Sequence, residues 1–201
     1  MTQKQMRVVL ATTNSHKLDE LQRMLADSPI ELVMPPHVIE VDETGETFRE
    51  NARLKARTYA RLLGEPTLAD DSGLSVDALD GRPGVHSARY AGNNATDADR
   101  NRKLLGELID VPDSERGASF HCALILAWPG GDELTVEGLV SGRILHEPRG
   151  DHGFGYDPVF YVPALDKTFA ELTTEEKNAH SHRAKAASLL IEALQHAPAG
   201  R

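Results

Sequence analysis

The sequence predicts an α/β fold, a central mixed β-sheet flanked by helices, and three observations carry that expectation. A short β-branched run near the start leads through a polar turn into an amphipathic helix, the common opening of an α/β domain. Capped helical stretches then alternate with further apolar runs. Two extended segments joined by "PGGD" read as an antiparallel hairpin, which makes the sheet mixed.

The first run is "RVVLAT", Arg7 to Thr12, a buried strand by its apolar and β-branched character. It breaks at Thr13-Asn14, and "SHKLDELQRMLADS" follows with Leu18, Leu21 and Leu25 on one helical face. Thr47 to Glu50, "TFRE", matches a capping box, and the helix it opens turns Ala52, Ala56, Tyr59 and Leu63 inward. "TLADD" and "LSVDAL" read as two short extended pieces around a Ser72-Gly73 turn, and "GRPGVHSARYAGNNA" as a long polar loop. A second capped helix begins at Thr96 and is expected to bury Leu104, Leu105, Leu108 and Ile109. The hairpin strands "ASFHCALILAW" and "ELTVEGLVSGRIL" come next. After the loop "EPRGDHGFGYDPVF", one helix is predicted over "EEKNAHSHRAKAASLLIEALQ". No repeat, low-complexity tract or linker divides the chain, so residues 1–201 read as one domain with a cleft between two lobes.

Composition narrows the function classes. The 201 residues are 40% hydrophobic, enough for a substantial core. With 22 basic against 31 acidic residues, a net charge of −9 argues against a broad nucleic-acid-binding face. A small anionic substrate would need local cations and a metal to overcome that field. The single cysteine, Cys122, rules out an internal disulfide and sits in an apolar run, where it reads as a small buried hydrophobe. No signal-peptide core or membrane-length apolar run is present, and a soluble cytoplasmic protein is expected.

Four polar clusters fall at element ends, where α/β proteins place their sites. The first, "TTNSHK", lies at a strand-to-helix turn, where backbone N–H groups attract anions and Lys17 adds a charge. It lacks the spacing of a P-loop, and a plain helix cap beside a solvated lysine fits it as well. In the second, "DETGETFRENARLKA", Glu43 and Glu46 precede a helix on which Asn51 and Lys55 share a face. The third is "ADDSG", where Asp70 and Asp71 are either turn residues or a hard-oxygen site for a divalent cation. The fourth is split between "GFGYDP" and "EEKNAHSHR". Phe154 and Tyr156 either stack on a planar base or belong to the core, while Asp157, Lys177, Ser181, His182 and Arg183 supply hydrogen-bonding groups. Together the clusters hold the parts of a nucleoside polyphosphate site.

The stretches "ATTNSHKLDEL", "ETFRENARLKA", "LADDSGL", "GVHSARYAG", "GFGYDPVF" and "ELTTEEKNAHSHR" closely resemble the Ham1-like inosine triphosphate pyrophosphatases, in that family's order. The resemblance implies an elongated α/β fold, a homodimer, and magnesium-dependent hydrolysis of dITP, ITP and XTP to the monophosphate and pyrophosphate. That activity keeps deaminated purines out of nucleic acids. It places Thr12, Thr13, Asn14, Ser15, His16 and Lys17 on the triphosphate side, with Lys55 and Ser72 beside the phosphates. Glu43 and Asp71 fall at its metal positions, and Asp71 also at its proton acceptor. Phe154, Gly155, Tyr156 and Asp157, with Lys177, His182 and Arg183, fall where the family binds the nucleotide, mostly at its base. Thr13 replaces a common glycine, and Tyr156 stands where some members carry tryptophan. Donors from Lys177 or Arg183 would suit the C6 oxygen of hypoxanthine and oppose the C6 amino group of adenine. A nucleotide-sensing module without turnover, and a Maf-like pyrophosphatase for modified pyrimidine nucleotides, are the rival readings.

Overall fold

The computed structural model describes residues 5–12 and 14–196. The chain order is β1 (Met6–Leu10), α1 (Ser15–Met24), β2 (Ile30–Val33), α2 (Phe48–Leu63), β3 (Thr67–Val76) and α3 (Asp97–Glu107). It continues with β4 (Gly117–Ala127), β5 (Glu133–Ile144), β6 (Phe160–Val162), β7 (Lys167–Thr168), α4 (Thr174–His180) and α5 (His182–His196). The sheet runs β2-β1-β3-β4-β5-β6-β7. It is mixed, since β1 pairs parallel with β2 and β3 while β6 pairs antiparallel with β5 and β7.

By its internal contacts the chain divides into two compact units, one of residues 1–71, 122–138 and 183–201, the other of 72–121 and 139–182. The first unit has helices on both faces of its strands. Successive strand residues point to opposite faces. Val8, Leu10, Leu68, Cys122 and Leu124 accordingly pack with Leu21 and Leu25 of α1 and Ala186 and Leu190 of α5. Their neighbours Val9, Ala69, Ala123 and Ile125 pack with Ala52, Ala56 and Tyr59 of α2. The second unit gathers its core around Leu74, Leu104, Phe120, Val140, Tyr156, Phe160 and Phe169.

The capping box at Thr47 forms as its spacing predicts, and Thr96 caps its helix as expected, in a reciprocal box with Asp99. Three expectations need correction. "TLADDSGLSV" is one continuous strand, β3, with Asp70 and Asp71 buried inside it and no turn at Ser72-Gly73. The last helix is broken, because Ser181 closes α4 in an extended conformation (φ −71°, ψ 162°) directly before α5 begins. A serine suits that place, since its hydroxyl favours cap over helix-interior conformations. Ile109 is 74% exposed beyond the end of α3, whereas Leu104 and Leu108 are buried as expected.

Candidate active site

The two adjacent aspartates are explained by the strand that carries them. Leu68 faces α1 and α5, Ala69 faces α2, and the alternation continues one step further. Asp70 therefore meets Lys17 of α1, at 2.8 Å, and Arg183 of α5, at 3.7 Å. Asp71 meets Lys55 of α2, at 3.8 Å. Two neighbouring carboxylates in a buried strand are tolerated because they point to opposite faces and each has its own cation.

The two acids have different electrostatics. Burial pushes the Asp70 carboxyl up, but Lys17, Arg183 and Lys55 outweigh it and hold the group well below the ordinary carboxylate range. For Asp71 burial wins: its pKa is pushed up to about 6, Lys55 and Lys17 opposing and the carboxylates of Glu43 and Asp70 adding to the rise. Asp70 is a fixed anion, while Asp71 can take a proton near neutral pH, as a general base must.

The other groups of the first unit converge on these acids. Asn14 caps α1, its Oδ1 accepting from the N–H groups of His16 (3.0 Å) and Lys17 (3.3 Å), and Thr12 Oγ1 accepts from the Asn14 N–H. Asn14 is thus the helix cap that the sequence also allowed, and the cap starts the turn that carries Lys17. Thr13 and the side chain of Ser15 lie outside the described residues. Lys55 bridges Glu43 (3.2 Å) and Asp71, and although burial opposes its charge, Asp70, Asp71 and Glu43 raise its pKa. Asn51, fully buried one turn before Lys55, accepts the Gly45 N–H at 2.8 Å and so ties the loop bearing Glu43 to α2.

Glu43 and Asp71 suit a divalent cation. They share a lysine, and Asp71 Oδ2 is buried without a hydrogen-bond partner among the described residues. Two carboxylates supplemented by substrate phosphates are the usual protein share of a magnesium site. Elsewhere in this unit, a groove of about 780 Å³ runs along α2 past Arg53, Arg57 and Trp128. Its Arg53 and Arg57 are already paired with Glu133.

The second unit holds the other cluster. Lys177 of α4 donates to Asp157 Oδ2 at 2.7 Å, and its Nζ lies 4.4 Å from the centre of the Phe154 ring. Asp157 Oδ2 also accepts the Phe154 N–H at 2.8 Å. The His182 ring stacks on Phe120, with centroids 4.7 Å apart and planes 8° from parallel. Tyr156 is in the core, its hydroxyl donating to the Ser87 carbonyl at 2.9 Å. Of the two aromatics in "GFGYDP", Tyr156 is buried and Phe154 half-buried, so only the Phe154 ring keeps exposed surface. Ser72 is half-buried within β3, and Gly155 adopts a left-handed conformation, φ +65°.

Arg183 is fully buried in the first unit, where it pairs with Glu20 of α1 as well as Asp70. Burial opposes its charge, but Asp70 and Glu20 more than offset that and hold its pKa above the ordinary arginine value. Sequence reasoning did not single out Glu20, whose partner is far along the chain. It also passed over Asp97 and Asn101 of α3, which bond both backbone groups of Gly155. A signal existed for Asn101, a polar residue on the face that buries Leu104 and Leu108.

A model of the Ham1 family matches residues 8–193. The chain is 52% identical over 195 residues to a dITP/XTP pyrophosphatase of Yersinia pestis, covering 95% of this chain and 99% of that one. It is 51% identical over 197 residues to a dITP/XTP pyrophosphatase of Geobacillus kaustophilus, covering 96% and 97%. Among solved structures, a HAM1 protein from Coxiella burnetii superposes with a TM-score of 0.88 at 48% identity, covering 96% of this chain and all of that one. A nucleoside-triphosphatase / dITP/XTP pyrophosphatase from Mycobacterium abscessus gives 0.77 at 46% identity, covering 92% and 99%.

Proposed function

The chain belongs to the Ham1 family, and from that premise we propose that it is a nucleoside-triphosphate pyrophosphatase acting on dITP, ITP and XTP. It releases the monophosphate and pyrophosphate, and so removes deaminated purine nucleotides from the pool. The observation that carries this reading is the β3 pair, one aspartate fixed as an anion beside Lys17 and the other left basic beside Lys55 and Glu43.

The roles follow from those surroundings. Water attacks the α-phosphorus in line with the departing pyrophosphate, and Asp71 takes its proton. Lys17 and Lys55 stabilise the charge that accumulates on the leaving phosphates. Asp70 keeps the Lys17 ammonium in place. Glu43 and Asp71 would hold Mg2+, which would neutralise phosphate charge and lower the pKa of water. Thr12, Thr13, Asn14, Ser15, His16 and Ser72 serve the phosphates.

Phe154 offers a face for the base, and Lys177, held by Asp157, offers a donor suited to a C6 oxygen. The His182 ring, stacked on Phe120, serves the same end. Arg183 acts through Glu20 and Asp70 as a positioning residue. No helix among the described residues is long and apolar enough to cross a membrane. A cytoplasmic homodimer is part of the same proposal and rests on the family resemblance.

Incubation with dITP and magnesium, followed by chromatography of the products, tests the reaction class. Equimolar dIMP and pyrophosphate are expected. Inorganic phosphate with dIDP would contradict attack at the α-phosphorus.

A further inference from the structure

Both backbone groups of Gly155 are held by one helix. Asp97 Oδ2 accepts the Gly155 N–H at 2.7 Å, and Asn101 Nδ2 donates to the Gly155 carbonyl at 3.0 Å. Asp97 and Asn101 lie four residues apart and so share a face of α3. The N–H and the C=O of one residue belong to the two peptide planes on either side of its Cα, so fixing both fixes φ and ψ together. The conformation fixed is left-handed, φ +65°, which glycine adopts at little cost. A Cβ there would meet no atom within 4 Å, so backbone conformation alone, and not crowding, asks for glycine.

The flanking residues are pinned as well. Tyr156 is anchored in the core with its hydroxyl on the Ser87 carbonyl, and the Phe154 N–H is bonded to Asp157. With Tyr156 fixed, the torsions at Gly155 decide where Phe154 points. The Phe154 ring is in turn the one on which the Lys177 ammonium rests. The α3 end of this arrangement is itself tied down: Asp97 pairs with Arg100, whose guanidinium donates to the carbonyls of Ala88 (3.1 Å) and Ala95 (2.6 Å). Asn101 is 6% exposed, and its Oδ1 has no hydrogen-bond partner among the described residues. A buried amide with half its capacity unused costs stability, and such local costs are typical of functional sites.

From this geometry we infer that Asp97 and Asn101 are positioning residues for base selectivity, setting the Phe154–Lys177 pair through the two peptide planes of Gly155. The inference rests on the functional reading above, in which that pair reads the purine. It extends the selectivity apparatus to a helix that carries none of the expected site residues.

The test compares kcat/KM for ITP and ATP, with melting curves, in Asn101→Leu, Asp97→Ala and Asp97→Asn. Leucine has the branched outline of Asn101 but is larger and removes both the unpaired oxygen and the bond to the Gly155 carbonyl, so its melting curve shows whether the variant is folded. Its ITP-to-ATP ratio should fall ~10-fold, the scale of one lost hydrogen bond, with ATP cleavage nearly unchanged. Asp97→Ala should lose selectivity in the same way. Asp97→Asn, whose amide oxygen still accepts the Gly155 N–H, should keep most of it. Gly155→Ala, which disturbs the same torsions without touching α3, should reproduce the loss even if an α3 variant fails to fold. Unchanged ratios in the folded variants, or equal losses on both nucleotides, would overturn the inference. A wild-type protein that cleaves ITP and ATP alike would instead overturn the functional reading beneath it.

Discussion

Asp71 is buried and its carboxyl has a pKa near 6 in the fold against 3.8 as a free side chain. The folded state therefore prefers the protonated acid, and the cost of ionising it is absent below about pH 4 and complete above about pH 6. Without divalent metal at pH 7.5, Asp71→Asn should stabilise the protein by about 3 kcal/mol, and with magnesium present it should nearly abolish dITP hydrolysis. The stability difference should shrink as the pH falls from 6 towards 4. Equal melting temperatures at pH 7.5, or near-normal hydrolysis by the variant, would contradict the assignment. Arg183 presents the opposite case, a buried cation between Glu20 and Asp70. Arg183→Ala leaves two carboxylates short of their partner, which commonly costs about 3–5 kcal/mol. It should lower hydrolysis of ITP and ATP alike, and a collapsed ITP-to-ATP ratio at an unchanged melting temperature would return Arg183 to the base. Residue chemistry of this kind was only half legible in the sequence. That Asp70 and Asp71 matter could be read from their adjacency, but their separation onto two faces could not. It depends on β3 running straight through them, and Ser72-Gly73 suggested a turn. The partners of Arg183 were hidden for a related reason: Glu20 and Asp70 reach it only through tertiary packing.

At the scale of elements, local signals were dependable where a cap fixes them. Thr47 with Glu50 forms the reciprocal bonds that their spacing implies, and Thr96 starts its helix as expected. The hairpin strands β4 and β5 likewise fall where their apolar runs place them. The short strands β2, β6 and β7 were not legible, since four residues or fewer carry too little periodicity. The break between α4 and α5 was missed because "AHSHRA" contains neither proline nor glycine. The start of α2 yields a prediction of its own. The Gly45 N–H is bonded to Asn51, and a Cβ at Gly45 would lie 2.6 Å from Glu50 Cβ and 2.8 Å from Asn51 Oδ1. Gly45→Ala must therefore displace the loop that carries Glu43. Its magnesium requirement should rise at least several-fold, with activity recovering at saturating metal, as a titration of rate against magnesium would show. An unchanged requirement would remove Glu43 from the metal site.

At the scale of the molecule, the α/β class and the mixed sheet were both legible, because strand, turn and capped helix follow one another in a simple order. The family was legible through six ordered motifs, and a Ham1 model matches residues 8–193. The positions that hold the "GFGYDP" motif in place were not, since Asp97 and Asn101 act through the backbone groups of a glycine far along the chain. The net charge of −9 makes the paired lysines necessary, because a triphosphate approaching an acidic protein needs local cations. In the proposed mechanism those lysines face phosphates common to every nucleotide. Lys17→Ala and Lys55→Ala should therefore depress all activities in parallel, and a large change in the ITP-to-GTP ratio would show that they read the base. The central claim, that this fold removes deaminated purine nucleotides, is tested most directly by pyrophosphate release from ITP, dITP, XTP, GTP and ATP at equal concentration with magnesium. The account predicts rapid release from the first three and at least tenfold slower release from ATP and GTP. Comparable release from all five, or release confined to ATP and GTP, would contradict it.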